Sequence, residues 1–459
     1  MSIDLTKPVS LDKARQVKFW KRCIKTLLPH HYTGNESNRM YLGFFMLSAL
    51  DLLDSLHDVT TESERDDYIN WIYRCQHPEG GFRMWPGTDF GELRNETNAK
   101  WDPANLPATY FALSALLCAG DDLERVRRIE TLQWIRRIQR PGGSFGETII
   151  DGQINGGLDP RFGYCAAGIR YILRGEHVGP LEVDGVTIDD IDIDAFVKCV
   201  RLAESYDGGI ADYPYHEPHA GYEFCSLGAL KFIGRLATSK EPPNTNAALT
   251  APSDPDATIR WLIERQTDLE ELEEEEEIEE DSEREQEQQF DQPAEPSPEK
   301  PKTELATDSP MSNLKTELPT TASFPVSDPV HQSPDKSTLN TTTGFPFGPT
   351  DAGMNGRTNK VADTCYAFWA GASFHLMSAP QLYCKSRLQR YLLEKTQNPI
   401  LGGFGKFPGD LPDLYHSYLA LAALALDGCE GLLDIDPAMC ISKRASGRLK
   451  GIWERWGLR

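Results

Sequence analysis

The chain has no apolar run long enough to cross a bilayer, no excess of positive charge and no framework of paired cysteines. Its longest apolar run toward the C-terminus, LALAALAL at 419–426, falls far short of the roughly 20 residues a spanning helix needs, so stable membrane insertion is not expected. Lys and Arg number 47 against 70 Asp and Glu, a net charge of −23. A protein that neutralises phosphates over a broad surface carries the opposite sign, so no nucleic-acid partner is expected. Ten cysteines are scattered with no CxxC pair, which points to mostly buried thiols in a reducing, cytoplasmic compartment. The first twenty residues are charged and lack an apolar core before a small-residue cleavage site, so a secretory route is not expected either.

What the chain does have is a repeat. A helical phrase ending in a Gly pair occurs as YINWIYRCQHPEGGF (68–82), TLQWIRRIQRPGGSF (131–145), FVKCVRLAESYDGGI (196–210) and RLQRYLLEKTQNPILGGF (387–404). Each precedes or follows a second apolar helix rich in small residues: 108–120, 164–173, 221–234, 365–377 and 415–426. The Gly pairs begin at 80, 142, 208 and 402, so the first two intervals are 62 and 66 residues and the last is 194. ATIRWLIERQT at 257–267 is another first helix, with no Gly pair behind it. Removing the polar stretch that follows leaves two more periods of about 56 residues, so a fifth repeat is split by an insertion.

That insertion, 268–349, opens with fourteen Asp or Glu and one Arg in its first twenty residues, then turns Pro-, Ser- and Thr-rich. Few of its residues are aliphatic or aromatic, so it cannot bury enough surface to offset the entropy of ordering. It reads as a disordered loop, or as a regulatory arm in which Ser297, Ser309 and Ser333, each before Pro, accept phosphate. A second acidic cluster, DDIDID at 189–194, reads as a solvated loop. The fold class is all-α. Helix pairs that cannot bury an apolar face alone must stack, into an open solenoid or a closed α-α barrel, and periodicity does not choose between them. Aromatics in the second helices either line a lumen or are simply core.

The chemistry concentrates in GRTNKVADTCY (356–366) and in LYH (414–416). Asp363, Cys365 and His416 offer a carboxylate, a thiol and an imidazole, acceptable zinc ligands that leave a fourth position open. Equivalent positions of adjacent repeats are neighbours in a stacked array, so the fifty-one residues between Cys365 and His416 need not separate them in space. Alternatively Cys365 is a core thiol and Asp363 a helix N-cap. Arg357 and Lys360 stand before the Cys365 helix, His219 opens the second helix of the third repeat, and Lys406 follows the last Gly pair. If the second helices share one end, these groups converge with the helix dipoles there and suit a diphosphate. Otherwise they are solvated loop charges. Arg161 reaches the same place from the second repeat, or only pairs with Asp159.

At these motifs the chain resembles the β subunit of a protein prenyltransferase. GRxNKxxDxCY, HxGYxFC, RFxYC and GGFxKxP…YH are that family's phrases, in its order, over about residues 17–430 apart from the insertion. The resemblance implies an α-α barrel domain over 1–267 and 350–430, the insertion 268–349 and a C-terminal extension 431–459. It implies a heterodimer with a helical-repeat α subunit, one zinc, and thioether formation between an isoprenyl diphosphate and a CaaX-box cysteine, on small GTPases for example. By motif position Asp363, Cys365 and His416 resemble the zinc ligands. His219, Arg357, Lys360 and Tyr366 resemble the diphosphate set, with Lys406 and Tyr366 the catalytic pair, and Arg161 and Trp369 resemble channel-lining residues.

Within the family the chain most resembles the type I geranylgeranyltransferase. Lys406 stands ten residues before His416, where farnesyltransferase β subunits resemble one another in an aspartate that helps bind magnesium, so magnesium is expected to be dispensable. Phe162 after Arg161 and the head segments 37–56 and 118–126 point the same way. Tyr41, near Phe45, and Tyr415 depart from it. They place bulk where a longer lipid needs room and are expected at the channel's far end, which keeps a farnesyltransferase as the alternative. A triterpene-cyclase-like barrel needs a DxDD acid that DDIDID does not supply. A non-catalytic peptide-binding scaffold would hold no zinc.

Overall fold

The computed structural model describes residues 10–239, 249–268 and 351–458. The expected insertion, with Ser297, Ser309 and Ser333, lies outside the described residues except for Asp268. In chain order the helices are α1 (Lys13–Lys25), α2 (Arg39–Leu52), α3 (Leu56–Val59), α4 (Glu62–Arg74), α5 (Leu106–Ala119), α6 (Arg128–Arg137) and α7 (Pro160–Arg174). There follow α8 (Ile193–Leu202), α9 (Ala220–Phe232), α10 (Pro255–Ile263), α11 (Thr364–Leu376), α12 (Lys385–Arg390), α13 (Leu414–Leu426) and α14 (Lys443–Arg455). A π-turn over Tyr391–Thr396 continues α12.

The ring closes. Helix α2 packs on α5, α5 on α7, α7 on α9, α9 on α11, α11 on α13, and α13 returns to α2. These six inner helices are apolar on nearly every side, as in LYHSYLALAALAL of α13, because neighbours flank each one. Ala, Gly and Ser let the backbones approach: a Cβ on Gly168 of α7 would lie 2.4 Å from the Tyr110 ring of α5. The outer helices α4 and α6 lie against α5 and α7, and α1 against α2. The pair α1–α2 is a sixth repeat unit that the Gly-pair pattern does not mark.

The Gly pairs are the joints of this ring. Gly80 has φ +101°, and a Cβ there would sit 2.3 Å from the carbonyl oxygen of Glu130 at the start of α6. Gly402, at φ +75°, meets the carbonyl of Arg15 in α1 in the same way, at 2.7 Å. Each turn thus abuts the outer helix of the next repeat, and the last abuts the first. Only glycine tolerates both the conformation and the contact.

The split repeat keeps the same joint. Elsewhere a single bridge spans the turn, as in Gln76↔Phe82, Gln139↔Phe145 and Gln397↔Phe404. In the fifth repeat a two-residue antiparallel ladder does so, Gln266↔Met354 and Thr267↔Gly353. Two three-residue hairpins, at 148–155 and 181–188, and a short ladder at 435–442 are the other strand pairs among the described residues.

One feature departs from expectation. DDIDID is not a uniformly solvated loop: the Asp190 carboxylate receives the buried Arg170 guanidinium at 2.5 and 2.8 Å, and Asp192 caps α8. The C-terminal segment packs into the ring. Helix α14 lies on α5, and the hydroxyls of Tyr110, Tyr164 and Tyr418, from three inner helices, donate to the carbonyls of Met439, Ala438 and Cys440.

Candidate functional site

Three inner-helix N-caps carry the site. Asp363 caps α11 with extended backbone (φ −130°, ψ 143°), its Oδ1 accepting the Cys365 N–H at 2.7 Å. Asp413 caps α13, its Oδ1 accepting the His416 N–H at 2.8 Å. His219 caps α9, its Nδ1 accepting the Gly221 N–H at 3.0 Å. Helix N-termini leave N–H groups without intrahelical partners, and these caps fix the side chains while satisfying some of them.

Asp363, Cys365 and His416 come together, with one ligand atom from each lying within 4.8 Å of the others. The two readings of Asp363 prove compatible, since it caps the helix and joins the triad with the same carboxylate. His416 Nε2 lies 3.6 Å from Asp363 Oδ1, while its Nδ1–H donates to Asp413 Oδ2 at 2.6 Å. Asp413 thereby fixes the ring so that Nε2 is turned to the triad. That is how a carboxylate orients a metal-ligating histidine. The sequence reading missed Asp413, and its signal was DLYH, an acid three residues ahead of the ligand on a helix start. Burial, then the adjacent Asp363 charge, pushes the Cys365 thiol well up. A buried carboxylate beside a buried thiol and an imidazole is a donor set that fits a divalent zinc ion.

Of the groups expected to hold a diphosphate, His219 and Arg357 lie around Tyr366. With Nδ1 of His219 occupied as an acceptor, Nε2 carries the proton and donates to Tyr366 Oη at 2.8 Å. Burial, then Arg357 and Arg161, lowers His219 to about 4, so it is neutral at physiological pH. Gly356 makes room for the Tyr366 ring, and its carbonyl accepts the Ala220 N–H of α9 at 2.9 Å. Half-buried Arg357 stands 3.7 Å from Glu217. Lys360 is exposed on the same loop. Lys406 is exposed, and its carbonyl accepts the N–H of Thr364, the residue between Asp363 and Cys365, at 3.0 Å. Arg161 is held at 2.9 and 3.1 Å by both oxygens of Asp159, with its guanidinium 5.9 Å from the Tyr222 ring. Arg161 thus pairs with Asp159, and Tyr222 in turn stands 5.0 Å from His219 between ring centres.

From this end a chain of rings runs inward. Trp369 Nε1–H donates to Tyr415 Oη at 3.2 Å, and Tyr415 packs edge-on to Phe45 at 5.8 Å, which meets Tyr41 at 5.4 Å. Phe224 continues from Trp369 at 4.9 Å. Tyr41, Trp369 and Tyr415 are only partly buried, as are Phe111 and Tyr366, so they border space rather than fill core. Tyr415, expected at the far end of a lipid channel, instead lies against Cys365 beside the triad, with its ring also meeting Phe45. Phe162 stands apart from these rings, near Gly157 and Asp159.

A family model described as the prenyltransferase alpha-alpha toroid domain matches residues 11–441. The chain belongs to this family. It is 25% identical to the geranylgeranyl transferase type-1 subunit beta of Arabidopsis thaliana, over 90% of this chain and 84% of that one. Its identity to the protein of the same name from Dictyostelium discoideum is also 25%, over 95% of this chain and 97% of the relative. Among solved structures, Candida albicans protein geranylgeranyltransferase-I complexed with GGPP superposes with a TM-score of 0.67 at 23% identity, covering 96% of this chain and 99% of that chain. At that identity the likeness speaks for the toroid fold.

Proposed function

We propose that this chain is the β subunit of a type I protein geranylgeranyltransferase. With an α subunit it transfers the geranylgeranyl group of geranylgeranyl diphosphate to the cysteine thiol of a C-terminal CaaX (CaaL) protein in the cytoplasm, small GTPases among its substrates. The observation that carries the proposal is the backbone link from Lys406 to Thr364, which ties the turn bearing this lysine to the helix start that carries Asp363 and Cys365. Two relatives bearing the type-1 name over nearly the whole chain support the same choice.

Asp363, Cys365 and His416 would hold zinc, with Asp413 steering His416. A zinc ion bound there supplies a site that keeps a substrate thiol deprotonated near neutral pH. The isoprenoid lies along Trp369, Tyr415, Phe45 and Tyr41, where the rings exclude water. Its diphosphate meets Arg357, Lys360 and Lys406. Because His219 Nε2–H donates to Tyr366, the phenol keeps its own proton for a phosphate oxygen. As the C1–O bond of the allylic diphosphate stretches, negative charge grows on the departing oxygens. Fixed cations and donors stabilise that charge more than they stabilise the ground state, which is what accelerates the step. Lys406 supplies charge that a metal-bound diphosphate would otherwise receive from magnesium, so magnesium is not required.

The farnesyl alternative rests on the contact of Tyr41 with Phe45 and of Phe45 with Tyr415, which narrows the channel. Co-expression with a candidate α subunit, followed by transfer of farnesyl and geranylgeranyl to CaaL and CaaM peptides with and without magnesium, tests the proposal. Geranylgeranyl transfer to CaaL without magnesium is expected. Preferred farnesyl transfer that needs magnesium would replace it with the farnesyltransferase reading. Zinc stoichiometry near one, lost in Cys365→Ser, separates an enzyme from a peptide-binding scaffold.

A further inference from the structure

Arg265 is a guanidinium buried to 0% exposure, and no ligand role calls for it. Among the described residues the carboxylate within ion-pair distance is Glu264 at 3.6 Å, itself 67% exposed. Burying a cation is costly unless its donors are used. Nε and Nη2 of Arg265 find partners, while Nη1 has no hydrogen-bond partner among the described residues. Its Nε–H donates to the Trp261 carbonyl at 3.2 Å, and its plane stacks over the Trp261 ring at 4.3 Å. So braced, it sends Nη2–H to Thr358 Oγ1 at 3.2 Å. Its own carbonyl accepts the Asn355 N–H at 2.7 Å. Asn355, 2% exposed, passes the link on, its Nδ2–H donating to the Lys360 carbonyl at 2.9 Å. The Lys360 N–H turns back to the Arg357 carbonyl at 3.4 Å.

The two cations of the GRTNK loop are therefore presented by a backbone held from beneath by Arg265 and Asn355. These two residues also flank the ladder of Gln266–Thr267 with Gly353–Met354, from which the segment 269–350 departs. Four other repeats close this turn with a Gly pair; here a long segment interrupts it, and Arg265 ties the ladder to the loop through Asn355 and Thr358. On α9, Glu223 is also fully buried, its Oε2 accepting the Ile210 N–H at 2.7 Å; burial pushes its carboxyl up to about 8, so it supplies Arg265 no full countercharge at neutral pH.

We infer that Arg265 is a positioning residue for diphosphate recognition. Through Thr358, Asn355 and the Lys360 carbonyl it sets where Arg357 and Lys360 stand. The inference rests on the reading of this loop as a diphosphate site. Lysine cannot replace it, because a single ammonium lacks the fork that reaches the Trp261 carbonyl and Thr358 together.

The test uses the α–β complex, with inorganic diphosphate as calorimetric probe and steady-state kinetics beside it. Arg265→Met and Arg265→Lys are each expected to weaken diphosphate binding about tenfold. KM for the isoprenyl diphosphate should rise, while peptide KM and zinc content stay at the wild-type values. Thr358→Val, an exposed position that leaves the core intact, should shift binding in the same direction by about threefold. A folded Arg265→Met complex with wild-type diphosphate affinity overturns the inference, even if it melts earlier. Should Arg265→Met fail to assemble, unchanged affinity in Thr358→Val overturns it. A wild-type complex that binds no diphosphate removes both the site and the inference. Diphosphate binding without prenyl transfer removes only the proposed function, and the variants still decide the role of Arg265.

Discussion

Replacing Gly356 with alanine isolates what Tyr366 does. A Cβ at Gly356 would lie 2.2 Å from Tyr366 Cζ, 2.4 Å from Cε1 and 2.6 Å from Oη. The loop cannot simply retreat, because the Gly356 carbonyl holds the first amide of α9 at 2.9 Å. Nor is backbone conformation the obstacle, since φ at Gly356 is not among the positive values. The phenol ring must turn away, and the 2.8 Å bond from His219 Nε2–H to Tyr366 Oη breaks. A buried donor left unpaired costs about 1–3 kcal/mol, which corresponds to roughly a 5- to 150-fold loss if the bond is maintained in the transition state. The assay is kcat/KM for the isoprenyl diphosphate in the α–β complex, with zinc content as control. Tyr366→Phe removes the hydroxyl but keeps the ring. If Gly356→Ala acts by displacing that hydroxyl, the double variant should lose little more than Gly356→Ala alone. Losses that multiply, or near-wild-type activity in Gly356→Ala, would refute the reasoning.

Other outcomes follow from the same geometry. Lys406→Ala leaves the backbone link to Thr364 in place but removes one cation, and should slow the chemical step by about 10²–10³, with partial rescue by magnesium; unaltered turnover would dismiss the role of Lys406. Asp413→Ala frees His416 Nδ1 and should weaken zinc affinity about 10- to 100-fold without abolishing the fold, as read by competition with a chelator. Tyr41→Thr opens the ring contact with Phe45 and should shift selectivity from farnesyl toward geranylgeranyl; an unchanged ratio means Tyr41 does not gate length. Burial holds His77, His219 and His375 at about 4 in the folded state, against 6.5 ordinarily. The unfolded chain therefore binds more protons between these values, and stability falls as pH falls through that window. His375→Gln should lose less stability than wild type between about pH 7 and about pH 5 in chemical denaturation, and equal losses would contradict this.

Much of the site was legible before folding, because its residues sit in contiguous phrases. Asp363 and Cys365 are two apart on one helix start, and the repeat register alone brought His416 beside them. Asp413 and Arg265 were not legible. Each acts through another residue, and a single acid or arginine near a motif carries no sign of which carbonyl or ring nitrogen it will meet. Tyr415 was misplaced for a related reason. Its bulk was evident, but its direction depends on where the first turn of α13 faces, and it faces Cys365.

The sequence by itself determined the helical repeats, the insertion that splits one of them and the chemical kinds gathered at the inner-helix starts. Local patterning suffices for these, since helix, turn and ligand type are properties of short stretches. Closure was decided only by the tertiary structure. Whether six helix pairs end as an open array or a ring depends on α13 finding α2 and on Gly402 fitting against Arg15, contacts between residues hundreds of positions apart. The ring in turn decides the chemistry, because it sets His219, the turn bearing Lys406 and the Asp363, Cys365 and His416 triad at the starts of neighbouring inner helices. It also sets Arg265 beneath the loop that faces them.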